Sequence, residues 1–399
     1  MKGEGPCTIE MPKFAQRSIS LRMLRTLNAQ RSTLNIQLDS KLSVASWTLN
    51  VRNFKCFWLV VALIYTVVFL ALPASAAEKK IIRVGHFPNI SHAQAVVAHG
   101  LSRENKGWFE QRLGADTTVQ WFVYNAGPSA MEALLVGSID LAYVGPNPAI
   151  NAHLRSKATE VRIVAGACSG GAALVVQADG RIKADGDFKG KKIGSPQFGN
   201  TQDVAARSWL KSKGFRVTLT GGDVQVIPTA NPDQLLLFAK GNLDGVWTVE
   251  PWVSRLVLEG KGRVYLDESA LWPETKGKYV TTHLVSSVRF LQQKPELMRK
   301  WIGAHVELTD WINKNTAEAK TAFNRELKAE TTRPLALEIL DRAWGRLELT
   351  WDPVSASLRK AADDAYRVGL LKEKPELSKI YALNALNQVL REKHLPEVR

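Results

Sequence analysis

One pattern occurs twice in this 399-residue chain and limits its possible folds more than any other feature. Each copy combines a proline-led helical segment, a glycine, a short buried strand and a corner that ends in proline. The first copy runs from Pro128 to Pro146, and the second runs from Pro232 to Pro251. A supersecondary unit that recurs about 100 residues along the chain predicts two similar lobes of α/β structure.

The two copies agree in their internal spacing. Gly137 and Gly241 each follow the leading proline by nine residues, at the place where a helix ends and a positive φ is needed. An aspartate follows each glycine by three residues and an aromatic residue follows it by six: Asp140 and Tyr143, then Asp244 and Trp247. The alternative is a coincidence between two stretches of ordinary α/β sequence.

Residues beside the corners predict where the helices begin. In the first copy Pro128 suits the first helical position, and Ser129 with Glu132 has the spacing of a capping box. After the corner, Asn147 is expected to cap the next helix, with Pro148 in its first position. Each strand would therefore lead directly to a helix N-terminus.

Strand and helix patterns also alternate outside the two copies, which is typical of an α/β sheet with much parallel pairing. Strands are expected at 81–84, 119–124, 161–165, 172–177 and 192–195, and helices at 91–99, 108–113 and 201–213. The strand at 161–165 is expected to break at Cys168–Gly171. After Pro295 an amphipathic helix is expected to pack on the first lobe through Leu297, Trp301, His305, Leu308 and Ile312.

The N-terminal part has the organisation of an export signal. The apolar run Phe57–Leu72 follows Arg52 and Lys55 and precedes the small residues at 74–77. We interpret 52–77 as a cleaved signal peptide that directs the chain to the periplasm. A membrane anchor is the alternative, but the run is shorter than the ~20 residues of a usual span. Residues 1–51 are interpreted as a poorly ordered extension upstream of the true translation start.

Charge and cysteine content describe what remains after such cleavage. The whole chain has a formal charge of +15, but residues 1–77 carry nine basic and three acidic side chains, which leaves about +9. No run of Lys and Arg has the pattern of a nucleic-acid-binding stripe, so no nucleic-acid partner is expected. Cys168 is the one cysteine that remains, and its small apolar neighbours favour a packed thiol over a nucleophile.

Several strands are expected to lead directly into helices at one edge of the sheet, and this arrangement suggests a binding mechanism. A helix N-terminus presents unpaired amides and a partial positive charge, so it can hold an anion without a cationic side chain. In open α/β sheets the ligand cleft lies at the carboxyl ends of the strands. Corners that converge there would form a pocket for an oxyanion, with neutral hydrogen bonds added by Asn147, Ser169, Asn200 and Thr201.

Four motifs give the chain a family resemblance. They are IRVGHFPNISHAQA, GPSAMEALLVGSIDLAYVGPNPA, SPQFGNTQDVAARSWLKSKG and GVWTVEPWVSRL. With these motifs the sequence resembles the periplasmic substrate-binding proteins of ABC importers, in the nitrate/sulfonate/taurine family that includes the aliphatic sulfonate-binding proteins. The resemblance covers roughly residues 79 to 315.

The resemblance implies a two-lobed, type II-like α/β fold, in which each lobe is a mixed sheet flanked by helices and the ligand cleft lies between the lobes. Lobe 1 would be 78–172 plus 280–399 and lobe 2 would be 173–279, with crossovers near 173–177 and 282–286. The residues expected to line the ligand are Asn89, His92, Asn147, Ser169, Gly170, Gly199, Asn200, Thr201, Trp247 and Glu250.

Some of these residues have a plain alternative role. Trp247 is expected to pack the organic part of a ligand, or to be simple core. Glu250 is expected to meet a ligand amino group, or to stabilise its own helix start. For His92, Asn147 and Asn200 the alternative is a capping role alone.

The resemblance implies a monomeric, non-enzymatic solute-binding component of an ABC transporter, which delivers an aliphatic sulfonate or related small organic anion to the permease and its ATPase. Nitrate, taurine or a thiamine-precursor pyrimidine are alternative ligands, and an exported enzyme on the same scaffold is the alternative class. The sequence contains no G-x-S-x-G or H-E-x-x-H motif, and its seven histidines are scattered. No catalytic residue, cofactor or metal is therefore expected.

Overall fold

The computed structural model describes residues 79–218 and 221–399. The expected N-terminal extension at 1–51 and the expected signal peptide at 52–77 lie outside the described residues. Within the described part, no helix combines the length and apolar character that crossing a membrane requires.

Eleven described strands form two sheets. In chain order the strands are β1 Lys80–His86, β2 Thr117–Val123, β3 Leu141–Val144, β4 Val161–Gly170, β5 Ala172–Gln177, β6 Lys192–Ser195, β7 Gln225–Pro228, β8 Gly245–Val249, β9 Gly262–Asp267, β10 Val280–Ser287 and β11 Leu347–Leu349. The first sheet has the order β11-β4-β10-β3-β1-β2, and the second has the order β7-β6-β8-β5-β9.

The two sheets share one topology. In the first, β3 lies between parallel β1 and antiparallel β10; in the second, β8 lies between parallel β6 and antiparallel β5. Strands β4-β10-β3-β1-β2 therefore correspond to β9-β5-β8-β6-β7, and β11 is an addition at one edge. The two-lobed α/β fold expected from the sequence is confirmed.

Helices flank both sheets. They are α1 Ala93–Arg103, α2 Trp108–Leu113, α3 Gly127–Leu135, α4 Pro146–Arg155, α5 Thr201–Ser212, α6 Asn231–Ala239, α7 Trp252–Leu258, α8 Val288–Gln293, α9 Pro295–Lys314, α10 Thr316–Thr331, α11 Leu337–Trp344, α12 Ser355–Arg367 and α13 Asn384–Glu392. All five residues of the apolar face predicted after Pro295 are buried on α9. There Trp301 stacks on Phe109 of α2 with ring centroids 3.8 Å apart.

The repeated unit is confirmed down to its hydrogen bonds. Asp140 donates its N–H to the Arg83 carbonyl (2.8 Å) and accepts the Arg83 N–H on its carboxylate (3.0 Å). Asp244 makes the same pair of bonds with Lys192, at 2.9 Å each. Each aspartate thereby fixes the start of its strand against the parallel neighbour, β1 or β6. The shared spacing is therefore a structural repeat and not a coincidence.

The predicted helix caps of the first copy are wrong in detail. Helix α3 has Ala126 as its N-cap, and the Ser129 hydroxyl donates to the Ala126 carbonyl, so no capping box forms. Helix α4 has Gly145 as its N-cap, which places Asn147 in the first turn. The Asn147 amide donates instead to the Ala361 carbonyl on α12 (2.9 Å). Proline in the first turn fixes the helix start without a side-chain cap.

Strand β4 does not break at Cys168 as expected. It continues to Gly170 because β10 and β11 pair with it along that stretch. The chain then passes to the second sheet at Gly171 and returns between Asp267 and Val280. Gly170 and Gly171 both have positive φ (82° and 83°), a conformation that favours glycine. The lobe boundaries at 172/173 and 279/280 stay a prediction.

Candidate functional site

A narrow cleft lies between residues carried by the two sheets. Its lining comprises Phe87, Asn89, Ser91, His92, Asn125, Gly145 and Thr281 from the side of the first sheet, and Pro196, Asn200, Thr201, Gln202, Asn231 and Val249 from the side of the second. Its volume is about 20 Å³. That volume holds about one water molecule.

Four helix starts meet at this cleft. Asn89 is the N-cap of the 3₁₀ turn that leads into α1, and Gly145 is the N-cap of α4. Asn200 is the N-cap of α5, and Asn231 is the first residue of α6. The first turns of helices leave amides unpaired and carry a partial positive charge. The arrangement thus directs positive potential from both lobes into one small space.

The side chains that line the cleft are uncharged. None of the described lining residues is Lys, Arg, Asp or Glu. Burial lowers the pKa of His92 well below its usual value, so the ring is neutral at neutral pH. The Phe87 N–H points at His92 Nδ1 (3.4 Å), which holds that nitrogen as an acceptor. Any positive potential within this lining therefore comes from backbone dipoles and not from cationic side chains.

Thr201 supplies the most informative atom of the cleft. Its hydroxyl oxygen is buried and has no hydrogen-bond partner among the described residues, and the whole residue is 7 % exposed. A Cβ on Gly145 would come within 2.5 Å of this oxygen, so only glycine fits opposite it. An unmade buried hydrogen bond costs about 1–3 kcal/mol, so an acceptor atom placed in the cleft beside this hydroxyl would be stabilised.

Two asparagines of the cleft already have partners. The Asn200 Oδ1 accepts the Thr201 N–H (2.8 Å), as a cap does. The Asn89 Oδ1 accepts the indole N–H of Trp252 on α7 (3.1 Å), which joins the two sides of the cleft. The structure therefore brings four predicted site residues together: Asn89, His92, Asn200 and Thr201.

Four other predicted residues lie near the cleft but do not line it. Asn147 borders an adjoining space that it shares with Thr201. The Gly199 N–H donates to the Asp203 carboxylate inside the second lobe (3.0 Å). Ser169 and Gly170 lie at the crossover, where Ser169 Oγ accepts the Tyr279 N–H (3.3 Å) and the Gly170 carbonyl accepts the Thr281 hydroxyl (2.9 Å).

The remaining two predicted residues are buried away from the cleft. Trp247 is fully buried, packs against Trp209 and donates its indole N–H to Glu268 (2.7 Å), so it is core. The Glu250 carboxylate accepts the N–H and the hydroxyl of Ser254, both at 3.0 Å, in the first turn of α7. It also lies 2.8 Å from Arg346 Nε. Trp247 and Glu250 thus take the alternative roles named for them, core and helix-start stabiliser, because Trp247 lies inside β8 and Glu250 is held in the first turn of α7.

Sequence reasoning missed nine lining residues: Phe87, Ser91, Asn125, Gly145, Pro196, Gln202, Asn231, Val249 and Thr281. Gly145 belongs to the corner of the first copy and Asn231 directly precedes the second copy, so their positions at helix starts were an available signal. Thr281 had no such signal, because its place depends on how β10 returns to the first sheet.

Two further cavities lie beside the cleft. A space of about 20 Å³ shares Thr201 with the cleft, and a cavity of about 200 Å³ shares Glu268 and Trp272 with that space and is also lined by Trp209, Lys360 and Asp364. Burial raises the pKa of Glu268 to about 7, although the Trp247 indole bond and Lys360 oppose that rise. The larger cavity is lined by aromatic side chains and by charged side chains of both signs.

The fold and cleft define a class of protein. Two sheets of matching topology that exchange the chain twice around a cleft are the architecture of two-lobed periplasmic binding proteins, and solved structures of that class match this chain. The chain belongs to the NMT1-like family, whose model matches residues 75–324.

Individual relatives agree with this class. A putative binding protein of Brucella abortus is 27% identical over 263 residues, which is 65% of this chain and 76% of that protein. A putative aliphatic sulfonates-binding protein of Escherichia coli is 29% identical over 157 residues, 39% of this chain and 47% of that protein. The alkanesulfonate-binding protein of Xanthomonas axonopodis pv. citri, solved with bound MOPS, matches with a TM-score of 0.62 and 22% identity, over 77% of this chain and 100% of that one.

One enzyme shares the fold. The desulfurization enzyme DSZB matches with a TM-score of 0.53 and 15% identity, over 79% of this chain and 99% of that one. Within the described residues the one cysteine, Cys168, is fully buried, and burial raises the pKa of its thiol to about 12. A thiol in that state is a poor nucleophile at neutral pH.

Proposed function

We propose that this chain is the solute-binding component of an ABC importer. It captures an aliphatic sulfonate or a related small organic anion in the periplasm and delivers it to the permease, without catalysing a reaction. Relatives named as sulfonate- and taurine-binding proteins support this proposal. The family and the two-lobed fold are consistent with it.

The observation that carries the proposal is the unpartnered Thr201 hydroxyl at the meeting point of four helix starts. A sulfonate oxygen can accept a hydrogen bond from that hydroxyl and further bonds from first-turn amides. A lining without charged side chains suits a guest whose single negative charge is balanced by dipoles. A guest with a positively charged head would meet only positive potential there.

Ligand uptake requires the lobes to separate. The cleft has a volume of about 20 Å³, less than a sulfonate with its carbon chain occupies. The Asn89–Trp252 hydrogen bond spans the cleft and would break on opening. Gly170 and Gly171, at one crossover between the sheets, are placed to absorb the change in backbone angles. In this proposal the described conformation is a closed one, and the cleft widens to hold the ligand.

The neighbouring cavity favours an organic anion over an inorganic one. Nitrate or sulfate would fill only the head of the site, whereas an alkyl or aminoalkyl tail can extend past Thr201 towards Trp272 and Glu268. The ammonium group of a taurine-like ligand would face the Glu268 carboxyl, in place of the Glu250 expected from the sequence.

A thermal-shift screen of the purified chain tests the ligand class. The panel contains alkanesulfonates of increasing length, taurine, nitrate, sulfate, bicarbonate and thiamine-precursor pyrimidines. A ligand at about 100 times its Kd stabilises a protein by about 2.7 kcal/mol, so the true class should raise Tm clearly. A Tm raised by nitrate or sulfate alone would contradict the organic-anion proposal.

A matched pair of variants tests the site. Thr201→Val should weaken binding of the best ligand by about 10- to 100-fold, since a hydrogen bond to a charged group is worth about 1.5–3 kcal/mol. Thr282→Val is the control: its hydroxyl is also buried and unpartnered, but it lies outside the cleft lining. Equal affinities in the two variants would remove Thr201 from the site.

The enzyme alternative has its own readout. Wild-type protein incubated with a bound sulfonate or sulfinate should return the ligand unchanged in a mass-spectrometric assay. Release of sulfite during that incubation would show that the scaffold is catalytic.

A further inference from the structure

Three buried side chains of the first lobe meet at one point behind the cleft. His86 ends β1, His99 lies on α1 and Glu330 lies on α10. His86 Nε2 is 3.1 Å from His99 Nδ1 and 3.2 Å from Glu330 Oε1. His99 Nδ1 is 2.8 Å from the same carboxylate oxygen. The side chains of His86 and Glu330 are fully buried, and that of His99 is 12 % exposed.

Counting protons shows that a cation or one further proton would stabilise this point. His86 Nδ1 lies 3.3 Å from the Phe87 carbonyl, which only accepts, so the tautomer that makes this bond has a proton on Nδ1 and a bare Nε2. The proton on His99 Nδ1 faces three acceptors: His86 Nε2, Glu330 Oε1 and, at 3.3 Å, Glu326 Oε1. It leaves the His86 Nε2–Glu330 Oε1 contact as two facing lone pairs. A metal ion or a second proton on His86 would remove that repulsion.

The donor set and spacing fit a divalent transition metal. Zn²⁺ binds imidazole nitrogen at about 2.0–2.1 Å and carboxylate oxygen at about 2.0–2.2 Å, so tetrahedral ligand atoms lie about 3.3 Å apart. The distances of 2.8, 3.1 and 3.2 Å need only a small expansion to reach this. The backbone carbonyl beside His86 Nδ1 is the usual second partner of a metal-bound histidine.

A further observation in favour of a bound cation concerns the second carboxylate oxygen of Glu330. Glu330 Oε2 is buried and has no hydrogen-bond partner among the described residues. A buried carboxylate with a free oxygen beside two imidazole nitrogens is a combination that a cation would stabilise. We propose that His86, His99 and Glu330 bind one zinc ion or a similar divalent transition metal, with water in a fourth position.

One neighbour must move to admit the ion. Arg103 Nη2 lies 3.1 Å from His99 Nε2, and because arginine only donates, this contact requires a bare Nε2. Metal binding at Nδ1 places the ring proton on Nε2, so Arg103 releases the contact. Its side chain is 51 % exposed and keeps its bond to Glu326 through Nε (3.1 Å). Metal binding would therefore break one partly exposed contact, that between Arg103 Nη2 and His99 Nε2.

The ion would stabilise the wall of the cleft. It joins the end of β1 to α1 and α10, directly before Phe87 and Asn89 of the cleft lining. Its role is structural in this proposal, and it does not depend on which anion the cleft binds. Removal of the metal is expected to lower the Tm of the chain even without any ligand.

Zinc titration of the chelator-treated full chain tests the proposal, with bound metal measured by elemental analysis. Wild-type protein should bind one zinc at this site and gain Tm. His99→Gln and Glu330→Gln keep size and hydrogen-bonding capacity, and each should weaken zinc binding by at least about 100-fold. His394→Gln removes an exposed histidine and is the matched control, which should bind as wild type does.

Cobalt gives an independent readout. Tetrahedral Co²⁺ absorbs visible light strongly, so wild type and His394→Gln should develop that colour while the two ligand variants should not. Circular dichroism checks that each variant is folded; if His99→Gln is not, Glu330→Gln decides. No stoichiometric zinc in wild type, or unchanged zinc affinity in folded Glu330→Gln, overturns the proposal and leaves a protonated His86 paired with Glu330.

Discussion

The two copies of the repeated unit have the same backbone but end differently. In the first copy the corner opens onto the cleft, since Gly145 is both a lining residue and the N-cap of α4. In the second copy the corner is closed, because the Glu250 carboxylate occupies the first turn of α7 through Ser254. The helix start that follows the corner therefore faces the cleft in the first copy and is satisfied internally in the second, where Asn231 at the start of the unit lines the cleft instead.

The aromatic residue of each copy shows a second difference. Tyr143 meets His305 (3.0 Å), whereas Trp247 meets Glu268 (2.7 Å). Burial lowers the pKa of His305 to about 4, and burial raises the pKa of Glu268 to about 7. The two equivalent aromatic residues therefore contact buried groups whose ionisation destabilises the folded state at opposite ends of the pH range. The imidazole therefore destabilises the folded state as pH falls below about 6.5, and the carboxyl destabilises it as pH rises above about 4.5.

The largest effect is expected from Glu268→Gln. The folded carboxyl keeps its proton up to about pH 7, while the unfolded one ionises near 4.5, so Glu268 lowers stability as pH rises between those values. At pH 8 the variant should gain about 3 kcal/mol in the free energy of unfolding, and at pH 4 almost nothing. Urea unfolding at both pH values measures this. A gain that is equal at pH 4 and pH 8 would contradict the assignment.

His305 gives the opposite dependence in the other lobe. Its folded pKa lies below the unfolded value of 6.5, so its contribution to stability is lost as pH falls from about 6.5 to about 4. In the Glu268→Gln variant the free energy of unfolding should still fall by the same amount between about pH 6.5 and pH 4. One series of unfolding curves therefore distinguishes the effect of His305 from that of Glu268.

The next effect is expected from Gly145→Ala. The added methyl would lie 2.5 Å from Thr201 Oγ1 in the closed state, so closure should cost about 2 kcal/mol and ligand affinity should fall about 30-fold. Gly186→Ala is the control, because a Cβ there meets nothing within 4 Å. Calorimetric titration with the best ligand compares the two. Equal affinities would show that the cleft does not close on the guest as described.

The smallest effect compares the two aspartates of the repeat. Asp140→Ala should cost about 2 kcal/mol, since its carboxylate accepts the Arg83 N–H and two side-chain bonds from Arg83. Asp244→Ala should cost about 1 kcal/mol, because that side chain is more exposed and accepts bonds from Lys192 N–H and Arg181. Chemical denaturation measures both. A larger loss for Asp244 would reverse the comparison.

The parts predictable from sequence were those with local causes. Gly137 and Gly241 have positive φ (75° and 74°), and helix 108–113 and strand 192–195 have the predicted bounds. Local pattern and turn chemistry act over a few residues, so a sequence displays them directly. The same is true of the Asn200 cap, which forms as expected.

The choice between the alternative roles of a residue has a tertiary cause. Trp247 is core and Glu250 stabilises its own helix start, because packing buries the first and places the second beside Ser254 and Arg346. The proposed metal ligands, at positions 86, 99 and 330, are too widely spaced for any motif to join them. Only the return of α10 to β1 brings them together.

By itself the sequence determined the repeated unit, the α/β class and the approximate positions of the helices, because glycine conformation, proline geometry and apolar period act between near neighbours. The tertiary structure alone decided which helix starts face the cleft and which buried groups meet. Those choices depend on strand order and on the face of each strand that is covered, and they are fixed by contacts between residues far apart in the chain.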